Sequence, residues 1–271
     1  MPVPAQNQQY ENFIIRYKQN THGGFDYESD ETFQIVNDLF GILYVPMQEV
    51  PELELSSYSY SSIPRCYTYM DTGALSTSGV TRLHNHPYLK LQGKGTLVAV
   101  IDSGIDYLHP AFHNGVQSKI FSIWDQTLEG GADGRIPFGR EFGRQQIEQA
   151  LASENPWEIV PSSDTNGHGT RSAATAAGYR IEKDNFCGAA PEAEIVIVKL
   201  KQAKNYLRDF YLLPRDIDIF QEDDIMLAIS YVLFIAQEQQ MPLSICIGLG
   251  TSMGAHQGEG PLNEYINSIA A

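Results

Sequence analysis

Apolar positions along the chain fall into short runs, and the runs differ in period. Near the N-terminus, Phe13 to Tyr17 (FIIRY) and Glu31 to Pro46 (ETFQIVNDLFGILYVP) are rich in β-branched and aromatic residues. They predict strands around a short helical piece, the pattern of a small α+β module. Residues Glu52 to Arg65 (ELELSSYSYSSIPR) are rich in Ser and Tyr and close on a proline, which predicts an extended connector. The expected organisation is therefore a small α+β domain over residues 1–65, a connector over 66–90 and a larger domain over 91–271.

In the larger part, a turn at Gly93–Gly95 feeds the apolar run Leu97 to Ile101, too short for a helix and right for a buried strand. Asp102 stands at its carboxyl end. Residues 113–165 hold GGADG and several prolines around one helical stretch, Gln145 to Ala152, and read as a surface insertion rather than core. Small residues after His168 (TRSAATAAG) predict a helix that packs close to a neighbour. Ala193 to Leu200 predicts a second buried strand and Leu243 to Leu249 a third. Between them, Glu222 to Glu238 has acidic residues in its first turn and apolar ones at 225, 228, 229, 232, 233 and 236, the period of a core-facing helix. Strands alternating with helices predict an α/β fold, a parallel sheet covered on both faces.

Composition narrows the function classes. Hydrophobic residues are 42% and charged residues 19% of the 271, a globular balance. The net charge of -15 has no long run of either sign, which argues against nucleic acid as a partner. Cys66, Cys187 and Cys246 are an odd, widely spaced set, so no disulfide framework is expected. No basic-then-apolar leader opens the chain, and its longest strongly apolar stretch, Ile225 to Ala236, is shorter than the roughly 20 residues of a membrane span. Synthesis in the cytoplasm and no membrane span are the expectations.

Two segments carry chemistry: VAVIDSGIDYLHP (Val98 to Pro110) and DTNGHGTRSAATAAG (Asp164 to Gly178). A carboxylate at the carboxyl end of a parallel strand can accept the Nδ1 hydrogen bond of an imidazole and so fix its tautomer. Asp102 is so placed, Gly104 lets the backbone turn beneath it, and His168 heads the small-residue helix.

These residues resemble the subtilisin-like (S8) serine peptidases, whose aspartate box reads like DSGID..HP and whose histidine box reads like HGT..A...A. The match covers Gly95 to Leu200 and includes CGAAPEAEIVIVKLK, similar to the family's strand entry. SSIPRCYTYMDT, FSIWDQT and YLRDFY resemble most the clostridial branch that holds the Csp spore-germination proteases. The resemblance implies a subtilisin-like sheet, a serine endopeptidase acting on protein or peptide substrates, and Asp102 and His168 as two members of its triad. Gly248, Leu249 and Gly250 match the segment that hydrogen-bonds an extended substrate.

Gly250-Thr251-Ser252-Met253-Gly254 imitates the family's serine box, but too few residues separate it from His168, and the sequence behind it is loop-like where the box should open a helix. The nucleophile and the oxyanion-hole asparagine are therefore expected beyond Ala271. Residues 1–65 resemble the family's propeptide, an intramolecular partner that would occupy the cleft until cut in the Ser-rich connector. A non-catalytic binding protein of the same fold is the alternative.

Two departures accompany the resemblance, one at a calcium position and one in the histidine helix. Ala111 stands where subtilisins often place a calcium-ligating aspartate, so no cofactor or metal is expected, and a structural calcium would lack that ligand. Arg171 and Ser172 replace residues that are commonly apolar or aromatic, and Ala174 one that is usually glycine. His84 and His86 have no ligand-spaced neighbours and read as solvated loop residues, and His256 reads as a loop residue with no assigned role. Spore association rests on the resemblance alone.

Overall fold

The computed structural model describes residues 3–17, 32–50, 53, 58–69, 91–130, 135–184, 186–254 and 257–270. In the N-terminal module, β1 (Tyr10–Arg16), β2 (Phe33–Ile35) and β3 (Phe40–Pro46) pair antiparallel in the order β1-β3-β2, with Phe13 opposite Leu43. The helical piece expected between the two strand runs lies outside the described residues. One 3₁₀ turn, Tyr60–Ser62, interrupts the connector, and β4 (Cys66–Tyr69) follows it. The remainder of the connector, with His84 and His86, is also outside the described residues, as is His256.

The larger part continues with β5 (Leu97–Asp102), β6 (Ile120–Asp125), β7 (Arg140–Gly143), α1 (Arg144–Leu151) and α2 (Pro156–Ile159). Then come α3 (His168–Ala177), β8 (Glu194–Lys199), α4 (Asn205–Phe210), β9 (Phe220–Gln221) and α5 (Glu222–Gln239). The last elements are β10 (Leu243–Ile247), β11 (Leu249–Gly250) and α6 (Pro261–Ile269). Five strands form the central sheet in the order β10-β5-β8-β6-β7, parallel except for the antiparallel edge strand β7.

Both faces of this sheet are buried, and period-two alternation assigns them. Leu97, Ala99 and Ile101 of β5 face α5 and the N-terminal module, whereas Val98 and Val100 face the side occupied by α1 and α3. The N-terminal sheet joins the first of these cores: Ile14, Phe40, Ile42 and Tyr44 pack in one apolar cluster with Ile225, Ile229 and Val232 of α5 and with Tyr265 of α6. Three of the expected elements, β5, β8 and α5, lie within a residue or so of their sequence-derived bounds.

The expected surface insertion over 113–165 is corrected by the structure. β6 lies inside the sheet between β8 and β7, and Ile120, Ile123 and Trp124 are fully buried. Its apolar run is broken by Ser122 and Asp125, which conceals it in the sequence. Inside the fold these polar groups are paired: the Ser122 hydroxyl with that of Tyr231 at 2.8 Å, and Asp125 with the Ser162 hydroxyl at 2.6 Å and the Lys199 ammonium at 3.5 Å. The third expected strand is likewise divided, since Gly248 separates β10 from β11.

Candidate active site

Asp102 ends β5 with no exposed surface, and His168 opens α3 with 7% exposed. Gly167, at φ 77°, turns the chain into the helix, and the His168 N–H donates to the Asn166 side chain at 2.8 Å. These two elements bring His168 Nδ1 to 2.8 Å from Asp102 Oδ1, which also accepts the Ser103 N–H at 2.7 Å. With Nδ1 held as the donor, Nε2 is left as the basic nitrogen.

A second carboxylate supports the first. Ser103 donates its hydroxyl to Asp164 Oδ1 at 2.8 Å and accepts the Gly169 N–H at 2.9 Å. Asp164 Oδ2 in turn accepts the N–H and the hydroxyl of Thr170, at 2.8 and 2.6 Å, and Thr170 accepts the Asp106 N–H. Burial pushes the Asp164 carboxyl up, but the bonds from Thr170, Ser103 and the Gly167 N–H together outweigh it and hold the group below the usual carboxylate range. Close backbone approach completes the arrangement: a Cβ on Gly169 would lie 2.2 Å from the Gly104 carbonyl oxygen. The strand end and the helix start are thus tied by side-chain bonds that sequence reading missed, because Ser103 and Asp164 are remote in sequence.

Of the three residues matched to substrate binding, Gly248 lies against the Asp102–His168 pair, its absent Cβ only 2.7 Å from Asp102 Oδ2 and 3.0 Å from His168 Cε1. Leu249 and Gly250 form β11, which pairs antiparallel with the chain's own β4, Leu249 opposite Tyr69 and Gly250 opposite Thr68. On its other side β4 pairs antiparallel with β9, Cys66 opposite Gln221 and Tyr67 opposite Phe220. A strand of the connector is therefore inserted between β11 and β9, and β11 begins one residue after Gly248, which lies against the Asp102–His168 pair. The Tyr-Thr-Tyr alternation is only a faint sequence trace of it, and the pairing itself comes from the flanking strand edges.

Ser252 follows β11 in the wall of a cavity of about 400 Å³ shared with Cys66, Tyr67, Ile217 and Met253. The next helix after it, α6, starts only at Pro261. All three cysteines are free. Among the described residues no cluster of His, Cys, Asp and Glu has metal-binding geometry, and no described helix is long and apolar enough to cross a membrane.

Residues 93–211 match the model of the subtilase family, peptidase S8. Among curated proteins, the chain is 27% identical to the subtilisin-like protease SBT2.1 of Arabidopsis thaliana over 127 residues, 40% of this chain and 15% of that protein. It is 30% identical to SBT1.4 of the same plant over 125 residues, 40% of this chain and 16% of that one. Among solved structures, the fold is similar to the CspB protease of Clostridium perfringens, with a TM-score of 0.56 and 30% identity over 70% of this chain and 36% of that one. The matched regions thus span about a sixth of the plant proteases and about a third of the clostridial one.

Proposed function

Residues 93–211 are a subtilase-family segment, and from that premise we propose that the chain contributes the aspartate, the histidine and the substrate groove of a serine endopeptidase. The observation that carries the reading is the 2.8 Å contact of His168 Nδ1 with Asp102 at the carboxyl end of a parallel strand. Asp102 fixes the tautomer and stabilises the imidazolium, while His168 Nε2 takes the proton of an attacking hydroxyl and returns it to the leaving amine. The hydroxyl belongs to a serine outside these 271 residues. Ser252 is not that serine in this reading, because a loop rather than a helix follows it and it sits in the wall flanking β4.

The groove takes an extended peptide by strand addition, with Leu249 and Gly250 as one edge and Phe220 and Gln221 as the other. In this chain β4 fills that place, so residues 1–69 act as a propeptide whose tail blocks the groove. Because β4 runs antiparallel to β11, its carboxyl end at Tyr69 pairs with Leu249, the residue next to Gly248 and so on the side of the Asp102–His168 pair. Self-processing therefore falls after Tyr69 rather than in the Ser-rich stretch 52–65 that the sequence suggested. Protein substrates and, from the branch it resembles, a role in spores complete the proposal.

Fluorophosphonate labelling tests it. The gene product carrying the continuing sequence should label, and His168→Ala should abolish labelling and lower turnover on the order of 10⁶-fold, the scale of such a loss in subtilisin. The 271-residue chain should not label. Labelling of this chain that disappears in Ser252→Ala would overturn the assignment of the nucleophile.

A further inference from the structure

Ser172 lies one helical turn after His168 on the same face of α3. It is 3% exposed, and its hydroxyl has no hydrogen-bond partner among the described residues. Oδ2 of Asp102 is in the same condition, buried and without a partner. Both atoms lie against Gly248. The position that a Cβ on Gly248 would occupy is 2.7 Å from Asp102 Oδ2 and 3.3 Å from Ser172 Oγ. A side chain at 248 would collide with Asp102 Oδ2, and the two oxygens lie no more than about 6 Å apart, a span that one water can bridge.

A buried carboxylate oxygen and a buried hydroxyl are complementary, one an acceptor and the other a donor, and each is unfavourable if left alone. We propose that the Ser172 hydroxyl donates through one bridging water to the second oxygen of Asp102 and so acts as a positioning residue for the Asp102–His168 pair. Oδ1 already receives both the Ser103 N–H and His168 Nδ1. A donor on Oδ2 pins the carboxylate plane, so that rotation cannot exchange the oxygen facing the imidazole. It also draws charge from the carboxylate, which weakens the pull of Asp102 on an imidazolium. The polar residue that stood out in the sequence at 172 thereby acquires a role.

The proposal rests on reading the pair as a peptidase dyad, but its test does not require activity. The His168 imidazole is titrated by NMR in the 271-residue chain and in its Ser172→Val, Ser172→Ala and Ser172→Thr variants. Val and Ala should raise the titration midpoint by about half a pH unit, because losing a donor to the carboxylate favours the protonated imidazole. Thr, which keeps the hydroxyl, should restore the original midpoint. In an Asp102→Asn background the Val substitution should shift nothing.

Asp164, reaching the pair through Ser103, and Lys199 and Cys246, on strands flanking β5, are unaltered throughout the series. An unchanged midpoint in folded Val and Ala variants overturns the proposal, and so does a shift that persists in the Asp102→Asn background. Amide fingerprint spectra establish folding, and Ala decides if Val does not fold. Inactivity of the longer gene product would instead count against the peptidase reading and leave the titration result standing.

Discussion

Asp164 shows how a residue away from the dyad governs its stability. Its carboxyl is held below its ordinary value of 3.8 by bonds that exist only in the fold. The unfolded chain therefore binds the proton more readily than the folded one, and the stabilisation is complete above the ordinary value and lost as pH falls through the folded one. Urea midpoints should accordingly drop as acidification passes below the ordinary value of 3.8, and Asp164→Asn should be less stable at neutral pH with a flatter acid limb. An unchanged acid limb in the variant would place the effect elsewhere. The strand end that carries Asp102 and the helix start that carries His168 are legible in the sequence because their motifs are local. The Ser103–Asp164–Thr170 linkage is not, because its bonds join a strand end to a loop and a helix that only folding brings together.

At the scale of elements, the strands and helices that were legible are those whose apolar period is unbroken. β8 and α5 qualify; β6 does not, since Ser122 and Asp125 interrupt IFSIWD and find their partners on α5, β8 and the loop before α3. Its place inside the sheet has a direct consequence. Ile123→Ala should cost about 2–4 kcal/mol in chemical denaturation, as for a buried aliphatic side chain, whereas a surface insertion would give almost nothing. β4 illustrates the converse case. Four residues of a polar connector become a strand because the unpaired edges of β9 and β11 lie on either side of them, and backbone bonding there depends little on side-chain pattern.

For the molecule as a whole, the N-terminal sheet is seated by apolar packing and by one buried cation. Lys204, 1% exposed, donates to the Pro4 and Tyr10 carbonyls at 2.9 and 3.1 Å and to the Asn12 side chain at 2.6 Å. Asn12 also donates to Asp223 at 2.5 Å, and its main chain exchanges bonds with the Tyr206 hydroxyl. Burial above all, with Lys201 adding, pushes the Lys204 ammonium down to about 7 against the opposing pull of Asp223, Asp224 and Glu11. Lys204→Met removes three bonds, leaving the Pro4 carbonyl with only the longer bond from the Asn7 N–H and taking the ammonium from the Tyr10 carbonyl and the Asn12 side chain. It should destabilise the seating by about 3 kcal/mol. Limited proteolysis should then cut residues 3–50 well before the central sheet, and simultaneous loss of both parts would instead mean that they unfold as one.

By itself the sequence determined the parallel α/β class, the strand that carries Asp102, the helix that carries His168 and the acidic start of α5, all through local periodicity and motif. Only the tertiary structure decided that residues 120–125 are an inner strand, that Cys66–Tyr69 lies between β9 and β11, and that Glu222 accepts the Arg65 and Leu262 N–H groups as part of the join between the N-terminal module and α6. The reason is common to all three. Apolar burial repeats with the period of the element that carries it and can be read along the chain. Pairing between polar groups depends on which distant segment arrives opposite, and that is settled only when the layers close.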